Sequence, residues 1–381
     1  MGVINTIGRV LKQIAIVVGY ILLIGAIVIA ILFARHSEQE HRATQAITSF
    51  SIHVEGSENH TLIDEASMRA WFRARNIYPE ECTLESISLS QLESVALEHS
   101  AVASANAYVS HDGALTMNLL QREPLVRLRL DGYNQYIDKE GYVFSATNGY
   151  AAYVPVLTGS YRPIFGKEFS GNVAQMVSDS IVSIRRLIDR HEQSKYKIYR
   201  KKIRAYEDYE RVQDSVVRCP FWRSNSVAKQ RQEELLLFQE AYSNRYKREE
   251  AERDRQIEEL EREQQRLYED ISLMEKRHAD FDRMISFVEW LSSNPQWSGE
   301  ITQMVITESG DGHILLQVVP RSGDFIIDVG EISDIERKFR SLEQFYSVVL
   351  SNVGWQTYNH ISVRYDGQVV CRKAPASQRA E

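Results

Sequence analysis

The sequence predicts an α+β chain with one N-terminal transmembrane helix, a two-layer βααββ unit, and an antiparallel β domain. A long α-helical hairpin or coiled coil is inserted into that last domain. Three observations carry this reading. Ile14 to Phe33 run for 20 residues without a charge. Short segments of alternating apolar and polar residues surround four Asp-Gly pairs, at 112–113, 131–132, 311–312 and 366–367. No glycine stands between Asn172 and Ser298, a stretch rich in charges of both signs.

The leader comprises residues 1–13 and the apolar segment 14–33. At ~1.5 Å per residue that segment spans ~30 Å, the thickness of the bilayer hydrocarbon. A cleaved signal peptide has a shorter apolar core and a small-residue cleavage site, whereas here Ala34-Arg35-His36 follow directly. Arg9 and Lys12 precede the span and Arg35 and Arg42 follow it, so charge alone does not orient it. The short leader has no room for a folded domain, which puts the N-terminus in the cytoplasm and the rest of the chain outside.

Residues 49–123 form the βααββ unit. Phe50, Ile52 and Val54 alternate with polar residues, as in a strand. Thr61-Leu62-Ile63-Asp64 and Ser90-Gln91-Leu92-Glu93 have the form of capping boxes opening two helices. Two alternating segments, Ala103–Ser110 and Ala114–Gln121, flank Asp112-Gly113, a pair that supplies the positive φ angles of a tight hairpin turn.

The β domain is split into 124–190 and 281–373, followed by a tail at 374–381. Its strands are expected at Leu125–Leu130, Gln135–Asp138, Tyr142–Phe144, Ile301–Thr307, His313–Val319 and Phe325–Val329. Ser333-Asp334-Ile335-Glu336 reads as a cap for a helix with Ile335, Phe339, Leu342, Phe345 and Val349 on one stripe. His360–Tyr365 and Gln368–Lys373 close the chain as a hairpin. Asp-Gly turns between alternating runs favour an antiparallel sheet over a parallel one.

The insertion, residues 191–280, holds 20 Lys and Arg and 20 Asp and Glu. Mixed charge without helix breakers is the composition of a long solvated helix. Ile257, Leu260, Leu267, Ile271, Met274, Phe281, Ile285 and Val288 follow a 3-4 spacing with Gln264 and His278 in register, a heptad seam. Tyr199, Ile203 and Tyr206 have similar spacing on the earlier arm. Pro220 is the expected break. The arms are unequal about it, so their pairing is irregular or completed by another chain, through self-association or a coiled-coil partner.

Composition excludes several classes. The net charge of −7 offers no electrostatic footprint for nucleic acid. Three distant cysteines, Cys82, Cys219 and Cys371, exclude a disulfide scaffold and every CxxC-type metal or redox motif, and leave any single pairing open. No P-loop, GxGxxG, GxSxG or HExxH occurs, and Asp138 and Asp328 have no recognisable catalytic partner. Binding machinery without a cofactor is therefore the expectation, and not an enzyme.

Tyr136-Ile137-Asp138-Lys139-Glu140-Gly141-Tyr142-Val143-Phe144, Pro155-Val156-Leu157-Thr158-Gly159, Gly354-Trp355-Gln356-Thr357-Tyr358 and Tyr365-Asp366-Gly367-Gln368-Val369-Val370-Cys371 together resemble the bacterial cell-division family FtsQ (DivIB), in its Bacteroidetes-type version. The resemblance covers about 1–190 and 281–373; the charged insertion departs from it. It implies a POTRA domain at 49–123 and a non-catalytic scaffold of the divisome in the bacterial inner membrane, with its bulk in the periplasm at the septum. The implied partners are FtsB- and FtsL-like proteins, with other divisome components able to meet the POTRA-like unit. An edge strand at the carboxyl end could take a partner segment by strand addition. The residues implied are Tyr365, Gln368, Val369, Val370 and Cys371, supported by Trp355 and Tyr358; Val369 or Val370 must then face the core. The alternative is a periplasmic adaptor of a secretion system that uses the helical hairpin.

Overall fold

The computed structural model describes residues 23–31, 46–56, 61–83, 86–110, 112–146, 152–218, 220, 224–309 and 313–375. Of the apolar run Ile14–Phe33, residues 23–31 are described and form helix α1. Its Leu23, Ile24, Ile27, Val28, Ile29 and Ile31 are all exposed. Among the described residues no helix is long and apolar enough to cross a membrane. The chain divides into two compact units, Met1–Lys139 with Phe144–Val156, and Glu140–Val143 with Leu157–Glu381.

The first unit contains β1 (Ser49–Glu55), α2 (Glu65–Ala74), a 3-10 turn (Pro79–Glu81), α3 (Leu89–Leu97), β2 (Val102–Val109) and β3 (Ala114–Gln121). The strand order is β1-β3-β2, with β1 parallel and β2 antiparallel to β3. Alternate β3 residues Leu115, Met117 and Leu119 are buried, as are Met68 and Phe72 of α2 and Leu92 and Ala96 of α3. The period of two on the strand and the 3-4 spacing on the helices thus supply one core.

Both helices start away from the expected boxes. The buried Gln121 accepts from the backbone N–H groups of Leu62 and Ile63 at 2.6 and 3.1 Å. That holds 61–63 extended, and α2 begins after Asp64, in a reciprocal box with Ser67. Ser88, not Ser90, caps α3. Glu93 accepts instead from Ala107 N–H on β2 at 2.8 Å. Next, β4 (Pro124–Leu128) and β5 (Gln135–Asp138) pair antiparallel. Asp138 is buried against Arg122 at 3.2 Å, a structural ion pair.

The second unit has two parts. Strand β6 (Tyr142–Ser145) pairs through Tyr142 and Val143 with β8 (Gly171–Asn172). The main sheet runs β7 (Val156–Gly159), β9 (Ile301–Glu308), β10 (Ile314–Pro320), β11 (Ile326–Glu331), β12 (Tyr358–Ser362) and β13 (Val370–Lys373), with order β7-β9-β10-β11-β12-β13. Gly159 lies against β9 at φ 119°, and a Cβ there would meet the Ile306 carbonyl oxygen at 2.0 Å. The antiparallel expectation is corrected where β12 runs parallel to β11. A parallel neighbour needs a crossover, and the chain between these strands supplies it as α6 (Ile335–Phe345), a π-helical turn (Tyr346–Leu350) and α7 (Ser351–Val353).

The cap of α6 also differs from the expected Ser333. Asp334 occupies the N-cap in the left-handed region at φ 50°, without a side-chain cap bond. The wider π turn shifts the apolar stripe, so that Leu350 is buried where Val349 is only half-buried.

The hairpin is longer than residues 191–280. Helix α4 (Val173–Gln213) has 41 residues and α5 (Asn225–Ser293) has 69. They pair antiparallel: Gln264 donates to the Ile188 carbonyl at 3.2 Å, Lys202 meets Asp254 at 2.6 Å, and the Tyr209 and Tyr246 rings stack at 4.6 Å. The rungs place α4 against roughly residues 240–280 of α5. The excess length of α5 lies at its two ends, so the unequal arms need no second chain. At the tip, Gln239 donates to the carbonyls of Val212 and Gln213. At the base, Phe281, Met284, Ile285, Phe287, Val288 and Leu291 enter the β-domain core.

The α5 seam follows the expected register, but the α4 seam does not. Ile188, His191, Lys195, Ile198, Lys202, Ala205 and Tyr209 turn inward, leaving Tyr199, Ile203 and Tyr206 outside by one position. Cys82 and Cys371 are free thiols. Pro220 lies between the helices, and Cys219 and the Asp311-Gly312 turn lie outside the described residues.

Candidate protein-docking edge

The carboxyl end is built outward from β11. Asp328 accepts from Ser362 Oγ at 3.2 Å and from Gly330 N–H at 3.2 Å, and Arg364 reaches it at 3.3 Å. Val363 N–H donates to the Asp328 carbonyl at 2.9 Å. These bonds draw 362–364 onto β11, so the closing hairpin is shorter than His360–Tyr365 with Gln368–Lys373. The Asp366-Gly367 turn is present, with Gly367 at φ 65° and Gln368 N–H donating to the Tyr365 carbonyl at 3.2 Å. Only Ser362, Ile361, His360 and Tyr358 pair with Val370, Cys371, Arg372 and Lys373.

Strand β13 is last in the sheet order. One side bonds β12, and among the described residues no strand pairs with the other. Successive residues of an antiparallel strand turn their N–H and C=O groups to alternate sides, so the outer side carries open donors and acceptors. Val370 is 48% exposed, Arg372 and Lys373 are exposed, and Val369 and Cys371 are half-buried. Of the two valines Val369 is the more covered, and it and Cys371 are only half-buried, as suits a rim. Burial pushes the Cys371 thiol above its usual range.

The other expected residues fall into separate groups. Tyr365 and Gln368 lie on the turn and line a polar hollow with Ser309, Ser333, Arg337 and Lys338. Tyr358 begins β12 and packs its ring on Phe345 at 5.8 Å. Trp355 belongs to an aromatic stack, lying flat on Phe325 at 6.5 Å and edge-on to Tyr346 at 5.1 Å. Tyr346 continues the stack to Trp297, and burial raises its hydroxyl well above the usual phenol range.

Sequence reasoning missed the polar frame of the hollow. Arg337 pairs with Asp334 at 3.0 Å and Asp366 at 3.1 Å, fastening α6 to the turn. Lys338 donates to the Val329 and Glu331 carbonyls at 3.0 and 2.7 Å, and burial lowers its pKa. The i, i+3 spacing of Asp334 and Arg337 was visible, but the reach to Asp366 is tertiary. Among the described residues no group of His, Cys, Asp and Glu could hold a metal.

The chain thus combines a βααββ unit with a β domain whose last strand, β13, is at the end of the sheet order. Residues 259–372 match the family described as FtsQ/DivIB, C-terminal related, and residues 45–119 match the POTRA-like domain. Together these matches support an FtsQ/DivIB-type protein with a divisome-related role; that family is one of non-catalytic division scaffolds. Neither match covers 120–258. Among curated proteins, none matches the chain.

Proposed function

We propose that the chain is a non-catalytic scaffold of the septal division complex, held in the inner membrane by residues 14–33, whose β13 edge takes up an extended segment of an FtsB- or FtsL-like protein. The observation that carries this reading is the end position of β13 in the sheet, with its outer backbone groups open. The added strand gains main-chain hydrogen bonds along Val370–Lys373, and alternate side chains set its selectivity. Arg372 and Lys373 make this edge basic, so acidic residues on the incoming segment are favoured. Basic residues also discourage the edge from pairing with another copy of itself.

The test is co-purification of the full chain with an FtsB-like protein. Val370→Glu with Arg372→Glu is expected to abolish capture while the thermal unfolding transition stays unchanged, because both side chains are exposed. Undiminished capture removes strand addition from this edge.

A further inference from the structure

The solvent side of α4 carries a line of cations. Arg186, Arg190, Lys197, Lys201 and Arg204 follow one another at intervals of 4, 7, 4 and 3 residues, which keeps them on one helix face. All five are exposed, and none enters an ion pair among the described residues. At ~1.5 Å per residue the line is ~27 Å long. The seam residues Ile188, His191, Lys195, Lys202 and Tyr209 lie ~120° round the helix, so the cations point away from α5.

The acidic residues of α4 stay off this face. Asp179 and Asp208 close the line at its two ends, the second paired with Arg211. Asp189 and Glu207 stand ~80° to one side. Glu192 is farther round, paired with Lys195 at 3.0 Å. Between Arg186 and Arg204 no apolar side chain lies within ~60° of the line's centre. Protein–protein interfaces draw their strength from buried aromatic and aliphatic anchors, and this face offers none. A second copy of the hairpin supplies no matching charge either, because the outward face of α5 mixes Arg255 and Arg262 with Glu252 and Glu259. A row of cations without an apolar centre matches instead a surface of lipid phosphates, to which each Lys or Arg adds its own attraction.

From this we infer that the outward face of α4 docks on an anionic bilayer surface, with lipid phosphodiesters meeting the five cations. The inference rests on the membrane anchor proposed above: the bilayer that holds residues 14–33 is tethered to the hairpin, which raises the local concentration of lipid at α4. It does not depend on β13.

The experiment places the full chain in bilayer discs of phosphatidylcholine alone, or with about a third phosphatidylglycerol. Acetylation rates of Lys197 and Lys201 are read by mass spectrometry, with the exposed Lys373 of β13 as reference. Both α4 lysines are expected to react about tenfold more slowly in the anionic discs, and to recover their speed in high salt. Arg186→Glu/Arg190→Glu/Arg204→Glu, which leaves both probes in place, should restore the neutral-disc rate with helical content unchanged. Equal rates in the two lipids overturn the inference. So does equal slowing at Lys373, or slowing that survives the triple substitution. Protection by added polyglutamate in neutral discs, with none from anionic lipid, would assign the stripe to an acidic protein and also overturn it. Entry of the chain into the discs tests the anchor separately. A chain that stays outside them contradicts the anchor, and the stripe is then judged by sedimentation with vesicles of the same two compositions: binding to the anionic vesicles alone supports it, and binding to neither overturns it.

Discussion

Gly159 shows how one residue fixes the contact between two strands. Its φ of 119° lies where side-chain-bearing residues are strained, and a Cβ would sit 2.0 Å from the Ile306 oxygen. Gly159→Ala must move the backbone of β7 or β9, and is expected to destabilise the second unit by about 2–4 kcal/mol, read from urea midpoints. His99 is a pH-sensitive residue of the first unit. Its ring stands edge-on to Trp71 at 4.7 Å, and its Nδ1 accepts from Ala101 N–H at 3.4 Å. Burial, then the Arg75 charge, hold its pKa below the ordinary 6.5. The unfolded chain therefore binds the proton more readily. Stability is full above 6.5 and falls as pH drops below it, until the folded imidazole also protonates. His99→Asn should flatten the slope of unfolding midpoint against pH across that window; an unchanged slope assigns it to another group.

At the scale of elements, the period-2 and heptad patterns made most strands and the α5 seam legible. The failures share a cause: a tertiary bond outcompeted a local motif. Gln121 displaced the first capping box, Glu93 was taken by β2, and Asp328 shortened the last hairpin. On α4 the tyrosines looked like seam residues because they are apolar, yet Lys195, Lys202 and His191 occupy the seam. Long polar side chains can line such a seam when acidic partners from the facing helix meet them. The parallel β11/β12 pair followed from the intervening helix, which the sequence did show.

The hairpin also divides into parts with different duties. Replacing 192–262 by a short glycine-rich turn joins α4 and α5 where His191 meets Glu263 at 3.6 Å. It is expected to leave the β domain folded, with an unchanged unfolding transition for the remaining core. Phe281 lies at the base, under Gly141 and 6.0 Å from the Phe165 ring. Phe281→Ala should cost about 3–5 kcal/mol. If excision unfolds the domain and Phe281→Ala does not, the division of duties is reversed.

For the whole molecule, the two family matches bracket a segment, 120–258, that they leave unassigned. The candidate edge was legible from the order of short motifs near the carboxyl end. The polar frame around Arg337 and Asp366 was not, since it forms only when α6 and the turn are brought together. The docking claim is tested most directly by hydrogen exchange on the full chain, with and without an FtsB-like protein. Slowed exchange at amides within Val370–Lys373, where β13 faces outward, is the expected result. Protection confined to the hairpin or to the POTRA-like unit, with β13 exchanging as before, would contradict it.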